Sequence, residues 1–147
     1  MDIKIQKIKE YETDKFKIST PKYHSEHAAG FDLCSANEIE IAPGETRLVS
    51  TGLKFEIPVG YELQVRPRSG VTSSTKLRVH LGTVDSDYRG EVYIIVENVD
   101  RGHQSILVQK GARIAQGVIN KVEQARFTFG NLTETVRGTN GFGSTGD

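Results

Sequence analysis

"IEIAPGETRLVSTGLKFEIPVGYELQVRP", residues 39–67, reads as several short strands in series. Apolar and polar residues alternate along it, and Pro-Gly, Thr-Gly and Val-Gly pairs break the alternation where a chain turns back. The same period of two continues on both sides. "IKIQKI" (3–8) puts Ile3 and Ile5 on one face, and "GEVYIIVENV" (90–99) is apolar enough for a central strand. "SILVQKGARIAQGVINKV" (105–122) predicts strand, Lys-Gly turn, strand, with Ile114 and Val118 facing inward; "ARFTF" (125–129) predicts one more strand. Helical periodicity is scarce. One short helix is expected after Ser69, around "GVTSSTK" (70–76), with hydroxyls available to cap it. Many short strands with regular turns predict an all-β fold of jelly-roll type, sandwich or barrel.

Composition narrows the function classes. At 147 residues the chain is long enough for one domain with a core of its own. Lys plus Arg and Asp plus Glu stand at 19 each, which argues against a protein that coats nucleic acid. A single cysteine, Cys34, permits no intramolecular disulfide and fits a reducing compartment. The sequence shows no apolar stretch of signal-peptide or membrane-spanning length, so a cytoplasmic protein without a membrane partner is expected.

Several stretches carry chemistry. In "RPRSGVTS" (66–73) a Ser-Gly pair opens the short helix, so Arg68, Ser69 and the first free N–H groups suit a phosphate; a surface turn with solvated arginines reads equally well. "VHLGTVD" (79–85) looks like a hairpin ending at Asp85, with Gly82 where the backbone comes close to something. Asp85 fits a catalytic base or a turn carboxylate, and Tyr88 fits a sugar platform or a core cap. Gln116 on its strand fits a structural hydrogen bond or a ligand contact. Asp32 lies between Phe31 and Leu33 and points to the opposite face of its strand. No spacing of His24, His27, His80, His103 and Cys34 makes a zinc set. The tail "RGTNGFGSTGD" (137–147) carries Arg137, Phe142 and a frame of glycines able to wrap an anion, or it is a frayed end.

Taken in order, "AAGFDLCSA", "RPRSG", "GTVDSDYRGEV", "KGARIAQGVI" and "RGTNGFGSTG" resemble the five motifs of homotrimeric dUTPases (deoxyuridine triphosphate nucleotidohydrolases), over residues 28–146. The resemblance implies a distorted jelly-roll barrel over residues 1–136 and a flexible C-terminal arm, 137–147, that closes over the site. It implies a homotrimer whose active sites are shared between subunits, and hydrolysis of dUTP to dUMP and pyrophosphate with Mg²⁺ on the triphosphate. By position, Asp85 activates the attacking water. Arg68, Ser69 and Gly70 hold phosphates, and Gln116 contacts the phosphate chain or an ordered water. Asp32 supports the metal through water. Tyr88 lies under the deoxyribose, with Tyr93 also at the substrate. The hairpin from Val79 through Thr83 to Val84 reads uracil mostly by backbone groups. Arg137 reaches the γ-phosphate, Phe142 covers the base, and Gly143 and Ser144 close on the phosphates.

Two alternatives stay open at this stage. A dCTP deaminase on a similar fold needs a glutamate ten residues after Asp85, where this chain has Ile95. A protein-binding regulator on the same fold would add a partner without changing the motifs.

Overall fold

The turns of 39–67 close where the sequence marks them. In the computed structural model, which describes residues 1–141, Gly44, Gly52 and Gly60 take φ of 73°, 70° and 84°. That left-handed region suits glycine, whose missing Cβ removes the clash. Strands β1 (Lys4–Lys7), β2 (Phe31–Cys34), β3 (Ile39–Ile41), β4 (Thr46–Ser50), β5 (Leu53–Glu56) and β6 (Tyr61–Pro67) precede one short helix, α1 (Ser69–Ser74). Strands β7 (Leu77–Val79), β8 (Gly82–Val84), β9 (Tyr93–Asn98), β10 (Ile106–Val108) and β11 (Arg113–Lys121) follow. The architecture is all-β with almost no helix.

Every pairing among these strands is antiparallel. One sheet has the order β2-β11-β6-β8 and another β4-β9-β7, while β1 pairs with β5 and β3 with β10. Alternation decides what each strand buries. On β6, Leu63 and Val65 enter the core, and Glu62, Gln64 and Arg66 stand outside as a hydrogen-bonded polar row. On β9, Ile94 and Val96 are fully buried and Tyr93 and Ile95 face out. Buried Asn98 is satisfied on both sides. Its amide donates to the carbonyls of Ile41 and Gln104, at 3.0 Å each, and its oxygen accepts from Asp100 N–H. The polar side chain thereby ties β3 and the loop after β9 to the sheet without a stranded group.

Three expectations need correction. Residues 125–129 form no strand: pairing of β11 with β6 ends at Lys121 and Tyr61, and Phe127 and Phe129 stand fully exposed. Strand-forming residues make no ladder without a partner strand, and residues 125–129 pair with none. Strands β7 and β8 are not a hairpin. They flank the His80–Leu81 bend, but β7 pairs with β9 and β8 with β6, so the two diverge into different sheets. The hydroxyls of α1 do not cap it. Ser73 and Ser74 donate back to the Gly70 carbonyl and Thr75 to that of Val71, leaving the helix start without a side-chain cap.

Gly52 gives a direct test of this frame. A Cβ there would lie 2.5 Å from Ile18 Cδ1, in addition to the strain of a positive φ. Gly52→Ala should therefore lower unfolding free energy by about 1–3 kcal/mol, read as a lower urea midpoint at unchanged slope. Gly44→Ala, where a Cβ meets nothing within 4 Å, should cost less.

Candidate active site

Strand β11 is the middle strand that gathers the first cluster. It sets Gln116 opposite Asp32 on β2 and opposite Arg66 on β6. Phe31 and Leu33 are buried, so Asp32 faces outward, as alternation requires. Its Oδ1 lies 3.0 Å from Arg68 Nε, and its Oδ2 lies 2.5 Å from His24 Nε2 and 3.5 Å from Arg113 Nη1. Arg68 is braced further by donating to the Arg113 carbonyl at 2.8 Å, and Gln116 Nε2 donates to the Pro67 carbonyl at 2.9 Å. A Cβ at Gly30 would come within 2.6 Å of Gln116 Oε1, so only glycine there leaves Gln116 its place. The resulting cleft of about 540 Å³ is lined by His24, Asp32, Arg68, Ser69, Gly70 and Gln116. Two arginines outweigh one carboxylate, and the uncapped start of α1 adds free N–H groups. The cluster has the charge and the donors to suit an anion, and in that sense is an anion station.

Sequence reading missed His24 and Arg113. Alternation places residues 113 and 116 on opposite faces, but the register slips between Arg113 and Ala115. That bulge buries both Ile114 and Ala115 and brings Arg113 to the face of Gln116. His24 sits in irregular chain with no periodicity to betray it.

The second cluster lies where the two sheets part. Strands β7 and β8 are the outer strands of their sheets, so each has one side without a strand partner among the described residues. Beside β8 opens a slot of about 250 Å³, walled by Gly82, Thr83, Val84, Tyr88, Tyr93 and Ile95. Val79 is buried in the core. Within the chain a Cβ at Gly82 would meet Val65 at an ordinary 3.5 Å, so packing does not demand that glycine. Asp85 is exposed at the end of β8, on the ridge between this slot and a polar cleft of about 720 Å³ that Glu62 and Asp87 help line. Tyr88 does not cap the core. Its ring folds over Gly90, where a Cβ would come within 2.2 Å of the phenol oxygen, and its hydroxyl donates to the Glu91 carbonyl at 2.9 Å.

The two clusters stand at opposite ends of β6. Val84 pairs with Leu63, so Asp85 lies beside Glu62, whereas Arg68 follows Pro67 at the other end. Six strand positions at about 3.3 Å each put them about 20 Å apart. Arg137 belongs to neither cluster within this chain; its Nε donates to the Asn140 carbonyl at 2.9 Å in a local turn. Phe142, Gly143 and Ser144 lie outside the described residues.

No group of three or more His, Cys, Asp or Glu side chains converges as a metal cage among the described residues. Asp32, with three cationic or donor partners, has capacity left for a water on a hydrated cation that arrives with phosphates, and not for the cation itself. The residues fit such a metal in that outer position.

An anion station and a narrow slot walled by backbone suit a charged chain and a flat ring. By class, this is an all-β nucleotide-binding protein. The comparisons narrow the class: the family model described as dUTPase matches residues 16–146, and the chain belongs to the dUTPase family. It is 45% identical to the deoxyuridine 5'-triphosphate nucleotidohydrolase of Rickettsia akari, covering 99% of each chain. It is 50% identical to that of Wolinella succinogenes over 86% of this chain and 85% of that one. Among solved structures, a Staphylococcus bacteriophage 80alpha dUTPase with dUpNHpp aligns at a TM-score of 0.86 and 25% identity, covering 99% of each chain.

Cys34 follows Asp32 on β2 and is half-buried. Desolvation first, then the Asp32 charge, push its thiol pKa above the ordinary value. Alkylation by iodoacetamide at pH 7 should therefore be slower than for a free thiol and should rise only above the usual thiol range of about 8.5. Fast labelling at neutral pH would contradict this environment.

Proposed function

We propose that this chain hydrolyses dUTP to dUMP and pyrophosphate in the cytoplasm, as a homotrimer whose active sites are completed by neighbouring copies. The observation that carries the reading is the length of β6. A carboxylate that aims water at a phosphate must lie within about 3–3.5 Å of the reacting atoms through that water. Asp85 and the Arg68 station of one chain are far beyond that reach. Asp85 of one copy set against the Arg68 station of another brings water and phosphates together. The exposed Phe127, Phe129, Leu132 and Val136 of the C-terminal stretch support the same assembly, since apolar side chains in a row gain from a partner surface.

In the assembled site, backbone groups on the free side of β8, the strand of Gly82, Thr83 and Val84, pair with the edge of uracil. Fixed donors and acceptors mismatch the amino group of cytosine, and a tight wall excludes the methyl group of thymine. Tyr88 lies against the deoxyribose and leaves no room for a 2′-hydroxyl, with Tyr93 beside it. Arg68, Ser69 and Gly70 hold the phosphates, and Gln116 is held at its carbonyl partner to contact them or an ordered water. Asp85 orients a water in line with the α-phosphorus and takes its proton as the new P–O bond forms. The P–O bond to the leaving pyrophosphate breaks in the same displacement. Asp32 holds a water of the Mg²⁺ that travels with the triphosphate, and when bound that ion neutralises charge on the leaving group. The arm, 137–147, closes over the nucleotide with Arg137 at the γ-phosphate, Phe142 over the base, and Gly143 and Ser144 at the phosphates. Ordering such a glycine-rich segment costs entropy, so closure waits for the full substrate.

The dCTP deaminase alternative is not favoured. The position its glutamate would occupy is Ile95, an apolar wall of the slot.

Pyrophosphate release with Mg²⁺ should be fast from dUTP and weak from dTTP, dCTP and UTP; equal rates on dUTP and dCTP would overturn the base reading. Asp85→Asn should lower kcat about 10²–10⁴-fold while nucleotide binding persists. Asp85→Asn and Arg68→Ala chains, each inactive alone, should recover partial activity when unfolded together and refolded as a mixture. No recovery beyond the sum of the separate preparations would argue against sites shared between copies. Removing residues 137–147 should cut turnover with the thermal midpoint unchanged.

A further inference from the structure

One carboxylate beside the slot has no part in the reaction yet gathers contacts from three directions. Glu91, half-buried just before β9, accepts the Gly52 N–H on Oε1 at 2.9 Å. The Tyr11 hydroxyl donates to its Oε2 at 3.2 Å and also contacts Ser50 Oγ at 3.0 Å. Its own carbonyl accepts the Tyr88 hydroxyl. The next residue continues the attachment, as Val92 N–H donates to the Leu53 carbonyl at 2.9 Å and Val92 C=O accepts from the Thr51 hydroxyl. The start of β9 is thus clamped to the β4–β5 turn, at the glycine whose left-handed backbone aims its N–H at Glu91.

The loop from Asp85 to Glu91 hangs between two fixed points. At one end β8 pairs with β6, and a turn bond from Tyr88 N–H to the Asp85 carbonyl (3.2 Å) shapes the bend. At the other end stands Glu91. Tyr88 covers Gly90 only while the Glu91 carbonyl is where its hydroxyl reaches. Tyr93, two residues on and on the same side of the strand, also faces Glu91. The nearby Glu91 carboxylate raises the Tyr93 phenol pKa.

We propose that Glu91 is a positioning residue that sets the sugar wall of the slot: anchored to Gly52 and Tyr11, it fixes the carbonyl that holds Tyr88 and flanks the ring of Tyr93. It touches no substrate atom. This inference rests on Tyr88 lying against the deoxyribose. Its consequence is selectivity, because a wall that drifts admits a 2′-hydroxyl before it loses the ability to bind dUTP.

The test is the ratio of kcat/KM for dUTP to that for UTP, read alongside the thermal midpoint. Glu91→Ala should lower the ratio about tenfold, mainly through better use of UTP and a raised KM for dUTP. Glu91→Gln should keep the ratio near that of the parent, since its amide oxygen still accepts from Gly52 and its NH₂ can donate to the Tyr11 oxygen. In a Tyr88→Ala background Glu91→Ala should change the ratio no further, because the wall it positions is gone. A lower midpoint with an unchanged ratio in Glu91→Ala would overturn the inference and leave Glu91 a structural residue. An unchanged ratio in Tyr88→Ala itself would instead sink the sugar reading. Should Glu91→Ala fail to fold, Tyr11→Phe removes one anchor and keeps its ring; the ratio should then fall about threefold, and no fall would reject the proposal.

Discussion

Strand β6 is paired along both sides, over seven positions with β11 and three with β8, and so cannot shorten or bend to bring its ends together. Its length governs everything chemical about this chain. The anion station hangs from one end and Asp85 from the other. A loop could have closed such a gap; a doubly paired strand cannot without breaking a ladder of hydrogen bonds. The fold therefore holds the two clusters apart, and under the proposed reading each is half of a site that a neighbouring copy completes.

The half-sites are made by different means. At the anion station, side chains do the work, and the bulge near Ile114 turns Arg113 toward Asp32 while its neighbours stay in the core. At the slot, backbone does the work. Two sheets diverge at His80–Leu81 and expose the free edges of β7 and β8. An exposed edge is ordinarily a hazard, because it pairs with any extended chain. Here both edges are only three residues long, which blunts that hazard.

Much of the fold was legible because it is local. Pro-Gly, Thr-Gly and Val-Gly each marked a turn that formed, and alternation placed Ile114 and Val118 inside. The outward Asp32 followed from its neighbours alone. The failures share one cause. The 125–129 stretch has strand-forming residues but pairs with no strand, the Val79–Val84 segment has hairpin spacing but joins two sheets, and the α1 hydroxyls satisfy carbonyls in place of a cap. In each case the residue types were read correctly and the partner was not.

By itself, the order of residues determined the strand breaks, the buried faces and the motifs of the family, since turn conformation and alternation depend on neighbours within a few positions. Only the tertiary structure decided that His24 and Arg113 join Asp32, that Glu91 anchors the loop of Tyr88, and that Asp85 and Arg68 stand a strand's length apart. Those are distances between segments remote in the chain. They are set by register, by one bulge and by which edge each strand finds, and no short window of sequence contains them.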